Sequence, residues 1–168
     1  MSKANERVRG SIIFLLIVLS FSSRSWADQY LTDTPVTLDY GQLKADIYSE
    51  LTNIKDDFGI RAPGFEAQVG VLTDFQVRLN MPVVVSTSPG KTTSYGYGDI
   101  EIGFKYRFIH ETETIPQVAF YPKFTLPSGF ADLRLGNGRN LERLPIWLQK
   151  TWEPWKLSGG GGYAIDHN

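Results

Sequence analysis

Between Asp99 and Phe108 apolar and polar residues alternate without a break. Ile100, Ile102, Phe104, Tyr106 and Phe108 fall on one side of an extended chain, and Asp99, Glu101, Gly103, Lys105 and Arg107 on the other. Successive side chains of a strand point to opposite faces, so a period of two predicts a β-strand with one apolar and one polar face. The pattern recurs about seven times after Gln42, in segments of roughly ten residues. A transmembrane β-barrel is written this way, with lipid against one face of each strand and water against the other.

The first segment is Gln42 to Thr52, where Leu43, Ala45, Ile47 and Leu51 alternate with Lys44, Asp46, Tyr48 and Glu50. The second, Phe65 to Leu72, ends in a tight reversal at Thr73-Asp74, and the third runs from Phe75 to Val85 with Val77, Leu79, Met81 and Val83 on its apolar side. The fourth is Gly98 to Ile109 and the fifth Gln117 to Leu126. Proline donates no ladder hydrogen bond, so Pro82 and Pro122 predict loosened pairing in the third and fifth. A sixth segment covers about Leu144 to Trp152 and a seventh about Trp155 to Ile165. Gly159 to Gly162 lie within the seventh, and Trp155, Leu157, Tyr163 and Ile165 keep period two across them. That favours a glycine-rich strand against which aromatic neighbours pack closely, rather than a linker.

Long and short connections alternate in step with these strands. Asn53 to Pro63, Ser86 to Tyr97 and Pro127 to Arg143 are long, whereas Thr73-Asp74, His110 to Pro116 and Glu153-Pro154 are short. Outer-membrane barrels have long external loops and short periplasmic turns. The rhythm therefore predicts a periplasmic N-terminus and a first strand running outward.

Upstream, the basic residues Lys3, Arg7 and Arg9, the apolar run Ile12 to Leu19 and Ser25-Trp26-Ala27 have the layout of a secretory signal peptide cleaved after Ala27. The apolar run is too short for a spanning helix, which takes about 20 residues. The predicted organisation is a helical signal peptide at 1–27, an N-terminal periplasmic segment at 28–41 and barrel strands over 42–168.

The whole chain has 17 basic and 18 acidic residues; removing the leader takes away Lys3, Arg7, Arg9, Arg24 and Glu6 and leaves 13 against 17, a formal charge of −4. Nucleic acid is an unsuitable partner for that balance. Cysteine is absent, so there are no disulfides and no lipid-modified N-terminal cysteine. Mean hydropathy is slightly negative. In a barrel that is expected, because half of each strand faces water.

If the apolar faces meet lipid, the lumen lining is Lys44, Asp46, Glu50, Glu66, Gln68, Gln76, Arg78, Asn80, Glu101, Lys105, Arg107 and Lys123. Mixed charges of this kind either hold water and bias permeation or pair with one another and rigidify a closed interior. Asp132, Arg134, Arg139, Glu142 and Arg143 belong to the longest loop, which either folds into the pore mouth or stands in solvent. Trp147, Trp152, Trp155 and Tyr163 lie near strand ends, where amphipathic rings suit the headgroup level, although ordinary core aromatics give the same spacing.

Enzymatic chemistry has little to work with. His110 and His167 stand in no metal-ligand spacing and beside no Gly-x-Ser-x-Gly elbow, and Ser49 has no outward-facing His to match it. Ser94-Tyr95-Gly96-Tyr97-Gly98-Asp99 echoes a potassium-channel filter, but such filters sit between pore helices, and the glycines fit a turn into the fourth strand. No cofactor is expected.

The order of several short motifs resembles the outer-membrane β-barrel family named for the meta-pathway of phenol degradation, whose members are described as transporter-like. The resemblance rests on Gly96-Tyr97-Gly98-Asp99 leading into Gly103-Phe104-Lys105-Tyr106-Arg107-Phe108, on Pro116, and on Leu126-Pro127-Ser128-Gly129. It continues through Gly136-Asn137-Gly138, Leu144-Pro145-Ile146-Trp147 with Gln149-Lys150, and the Gly159 to Tyr163 run. It covers roughly Phe65 to Ile165 and implies fold and location, with no catalytic residues. Family members are longer and end in an aromatic strand that the barrel assembly machinery recognises. This chain stops at Asn168 without one, and single-chain bacterial barrels have even strand numbers.

The expectation is therefore an all-β fold: an antiparallel up-and-down transmembrane β-barrel, represented by an incomplete N-terminal part of about seven strands after the leader. The expected location is the cell outer membrane. The expected partners are outer-membrane lipid, the assembly machinery and a small-molecule solute, hydrophobic or aromatic by the family's name, with the oligomeric state open. Two alternatives stand beside a channel or transporter. One is a structural or adhesion barrel plugged by its own charges. The other is a secreted lipocalin-like barrel, which requires the opposite polarity, with apolar residues inside.

Overall fold

The computed structural model describes residues 33–54, 57–87 and 92–167 together with Leu16–Phe21. Its strands are β1 (Leu16–Phe21), β2 (Leu43–Ile54), β3 (Asp57–Leu72), β4 (Phe75–Thr87), β5 (Ser94–Tyr97), β6 (Ile100–Ile109), β7 (Gln117–Phe120), β8 (Lys123–Leu126), β9 (Leu141–Trp152) and β10 (Trp155–Asp166). All pairings are antiparallel and make one sheet in the order β1-β10-β9-β7-β6-β4-β3-β2, with β5 beside β4 and β8 between β6 and β9. β5 continues the line of β6 and β8 that of β7, so apart from β1 successive strand lines pair in chain order and the topology is an up-and-down meander. The sheet is open, with β1 and β2 at its edges.

Six of the seven alternating segments match single strands or strand pairs with only small changes of boundary, because period two fixes both strand type and register where one face is apolar. The fifth is β7 and β8, separated at Tyr121-Pro122. The ladder nonetheless keeps its register across the gap, since Tyr106 faces Phe120 and Gly103 faces Lys123. Phe104 N donates to Pro122 O (2.9 Å) and Tyr121 N to Pro145 O (3.0 Å). At Pro82 the pairing does loosen. The β4 register passes from Asn80 opposite Glu101 to Val83 opposite Tyr97, so one residue is bulged out near Gly98.

Three expectations are corrected. The Asn53 to Pro63 loop is largely strand, because β2 and β3 continue pairing as far as Ile54 opposite Asp57; Pro63 and Gly64 mark a register shift inside the hairpin, not its tip. Ser94–Tyr97 is a strand paired with Val83–Ser86, not a turn, since Tyr95 and Tyr97 extend the alternation of β6 past the bulge. Leu16–Phe21, expected to be helical, is a strand on the open edge of β10, where Leu16 faces Gly160 and Phe21 faces Trp155. A short run of leucine, isoleucine and valine satisfies that edge as readily as it forms a helix. The remainder of 1–32 lies outside the described residues.

The two faces of the sheet are inverted relative to a water-soluble domain. Leu43, Ile47, Phe65, Leu79, Met81, Tyr106, Ile146, Leu148 and Leu157 are exposed, Ile47 by 72 %. Gln76, Asn80, Lys105, Gln117, Lys123, Thr125 and Gln149 are buried, Gln76 to 1 %. Cross-strand pairs keep each class on its own side: Leu79 lies between Ala67 and Ile102, and Gln76 lies between Gly70 and Lys105. Side chains of Lys, Gln and Asn are rarely buried while such large apolar ones face out, and this inversion is the main structural fact about the chain.

Glycines opposite aromatic rings shape the polar face. A Cβ at Gly160 would lie 2.5 Å from Trp147 Cε3, and one at Gly103 would lie 2.8 Å from Tyr121 Cε2. Gly64 is likewise covered by the Tyr48 ring. The glycine-rich β10 thus receives a ring flat against its backbone, as its pattern predicts.

Candidate functional site on the polar face

At the centre of the polar face, β3, β4, β6 and β8 bring Glu66, Arg78, Glu101, Lys105 and Lys123 around Tyr121. The period of two places them there, since Gln68 faces Arg78, Arg78 faces Gly103 and Gly103 faces Lys123. The Arg78 guanidinium pairs with Glu66, reaches Glu101 at 3.8 Å and Asp33 at 3.9 Å, and donates to the Tyr121 hydroxyl at 3.3 Å. Glu66 also accepts from Asn80 Nδ2 (3.3 Å) and Gln68 Nε2 (2.5 Å). Asn80 accepts from the Tyr48 hydroxyl at 2.8 Å. Lys105 Nζ and Lys123 Nζ stand 4.6 and 4.5 Å from the centre of the Tyr121 ring, within cation–π range.

The N-terminal segment, expected to form a periplasmic stretch ahead of the strands, packs on this face from Asp33 to Asp39. Leu38 N donates to Gln76 Oε1 (2.8 Å), Lys105 Nζ donates to Val36 O (3.2 Å), and Lys123 pairs with Asp33. Pro35 and Thr37 of this segment are buried against the sheet. Gly70 leaves room for the Asp39 backbone, and Gly41, at φ +79°, donates to Gly70 O (2.8 Å) as the chain turns into β2. Burial pushes the Asp33 carboxyl up, but Lys123, Lys105 and Arg78 outweigh this and hold it below the usual carboxylate range.

The long loop after β8 folds against the opposite end of the sheet. Its short 3₁₀ turn, Ala131–Leu133, ends at Arg134 with φ 61° and delivers Leu135 into a buried position against Gly96 and Gly98. The Asp99 carboxylate accepts from the backbone N–H of Gly129 (3.0 Å) and Asn137 (2.6 Å), so both arms of the loop are pinned to the β5–β6 junction. At the other end, Asp74 at φ 66° closes the β3–β4 turn. Its carboxylate accepts from Arg107 Nε at 2.8 Å and lies 2.8 Å from His110 Nε2. Burial raises the Asp74 carboxyl, while these hydrogen bonds lower it further and set the net direction.

Of the twelve lining candidates, Glu66, Gln68, Gln76, Arg78, Asn80, Glu101, Lys105 and Lys123 converge. Lys44, Asp46 and Glu50 share the face but sit apart on edge strand β2, in the pairs Lys44–Asp46 and Arg61–Glu50, both at 3.3 Å. Arg107 is held at the turn by Asp74 (2.5 Å). In the long loop Asp132 and Arg139 are exposed, with Arg139 2.8 Å from Asp166, and Arg134 is half-buried. Glu142 and Arg143 belong to β9, not the loop: the pairing with β10 extends back to Leu141 opposite Asp166, and Arg143 reaches Glu101 at 2.5 Å. Trp152, Trp155 and Tyr163 are exposed on the apolar face. Trp147 is not among them, because it has the parity of Gln149 and lies over Gly160 on the polar face.

No protein-family model matches this chain, and no curated protein matches it significantly. Function has to be argued from the polar face itself. Sequence reasoning missed Tyr121 and Asp33. Tyr121 was accessible from parity, since it is two residues from Lys123 and faces the interval between Gly103 and Lys105. Asp33 meets Lys123 across 90 residues of chain, and no local pattern encodes that contact.

Proposed function

We propose that the sheet is the wall of an outer-membrane β-barrel, with its apolar face in lipid and its polar face lining the lumen of a channel or transporter. The observation that carries this is the inversion of the faces: a band of exposed Leu, Ile, Val, Phe and Met on one side and buried Lys, Gln and Asn with half-buried Arg and Glu on the other. In water that apolar face would be an aggregation surface, whereas in hydrocarbon it is the required one. Trp152, Trp155 and Tyr163 suit the interfacial level. No helix among the described residues is long and apolar enough to cross a membrane, so spanning would be by strands. A lipocalin-like interior requires the reverse polarity.

Hydrocarbon does not tolerate open edges, so in a membrane the outer strands would be paired, with one another or with further strands. Leader cleavage after Ala27 would remove β1 and make β10 the edge. The aromatic or hydrophobic solute class follows only from the family resemblance. The ion-paired centre and the docked N-terminal segment also suit a plugged lumen, so a non-transporting structural barrel is the competing reading. Conductance of the full chain in planar bilayers separates them. Openings whose reversal potential shifts in Lys105→Glu support transport, and bilayers that stay at baseline after verified insertion refute it.

A further inference from the structure

We propose that Lys105, Lys123, Arg78 and Tyr121 form a binding site for a small organic carboxylate, and that the Asp33 carboxylate is its built-in, displaceable occupant. The strand-borne carboxylates are committed elsewhere. Glu66 is taken by Arg78, Gln68 and Asn80, and Glu101 by Arg143 and Arg78. Lys105 and Lys123 are buried to 6 % and 8 % exposure, yet among the described residues neither has a carboxylate partner carried by a strand. Their oxygen partners come from the N-terminal segment, Asp33 for Lys123 and the Val36 carbonyl for Lys105. Buried ammonium groups need a counter-charge or several hydrogen bonds. The sheet supplies two cations and a ring at the right spacing and leaves the anion to be delivered.

The segment is built to deliver it reversibly. Its Asp39 end is tied to the sheet by the Leu38–Gln76 and Gly41–Gly70 hydrogen bonds, while its Asp33 end is held by the contacts that a competing carboxylate would replace. The site does not depend on transport, so each can fail alone.

The test uses the full chain folded in detergent micelles, with benzoate as probe and benzamide as its uncharged counterpart, titrated calorimetrically. Asp33→Asn should bind benzoate about tenfold more tightly than the parent, the worth of one charge-assisted hydrogen bond no longer contested. Adding Lys123→Gln should reverse the gain, and benzamide should bind none of the three. Equal benzoate affinity in parent and Asp33→Asn, or indifference to Lys123→Gln, overturns the proposal. A nitroxide on Val36→Cys in the otherwise unaltered chain gives a second readout if Asp33→Asn does not fold. Benzoate should mobilise the label and benzamide should not, and an unchanged spectrum at saturating benzoate overturns the proposal.

Discussion

Replacing Leu79 with arginine separates a membrane wall from a soluble sheet by magnitude. Leu79 is 48 % exposed, between Ala67 on β3 and Ile102 on β6, close to the middle of β4. Full burial of a leucine contributes about 1.5–3 kcal/mol, so in water the half-exposed side chain has about 0.8–1.6 kcal/mol to lose, and arginine is well solvated there. At the midplane of a bilayer the same substitution costs about 2–4 kcal/mol, whereas near the interface it falls to about 0–1 kcal/mol. Leu72, exposed beside the Thr73-Asp74 turn, is the matched shallow control. The assay is urea-induced unfolding of the full chain reconstituted in short-chain phosphatidylcholine vesicles, followed by tryptophan fluorescence. Leu79→Arg should lower the folded-to-unfolded ratio about 30- to 700-fold, at about 1.4 kcal/mol per decade. Equal costs at Leu79 and Leu72, or a Leu79→Arg effect of no more than about 1.6 kcal/mol, would refute the reasoning.

Arg78→Met should destabilise the chain by about 3–5 kcal/mol, because it strands the Glu66 carboxylate on the covered face, and Glu66→Gln in the same chain should recover part of the loss in a double-mutant cycle. Gly64→Ala should cost about 1–3 kcal/mol through overlap with the Tyr48 ring, and much less in a Tyr48→Ala background, read by the same unfolding assay. The Asp74 carboxyl lies below its unfolded value, so its contribution is fully present above about pH 4 and fades as pH falls through the lower folded value. Parent and Asp74→Asn stability curves should therefore run apart at neutral pH and converge in acid. Glu111, lowered because hydrogen bonds from Thr151 and Lys150 outweigh its burial, should behave likewise in Glu111→Gln.

What was legible in the sequence follows from what is local. Period two placed the strands and separated the two faces correctly along β2, β4 and β6, because each residue there carries the polarity of its own side. Pro82 announced its bulge for the same reason, as the missing N–H acts where it stands. Pro63 misled because a breaker inside a long hairpin produces a register shift instead of a loop, and only the pairing of Ile54 with Asp57 decides between them. Trp147 was assigned by its size to a girdle when its parity with Gln149 already placed it opposite. Which face is covered was not legible, since alternation is symmetric under exchange of inside and outside. The docking of Asp33–Asp39 and of Leu135 resolves that symmetry, and both are long-range contacts made by segments that have no periodicity.

The central claim is that the apolar face meets lipid, and nitroxide scanning along β4 tests it most directly. The chain has no cysteine, so single cysteines from Gln76 to Met81 label uniquely. In vesicles, collision rates with oxygen, which partitions into hydrocarbon, should peak at Val77, Leu79 and Met81 and dip at Gln76, Arg78 and Asn80. Collisions with a water-soluble nickel chelate at the three apolar positions should stay low. High chelate accessibility at Val77, Leu79 and Met81, or loss of the two-residue period, would contradict the placement of this face in a membrane.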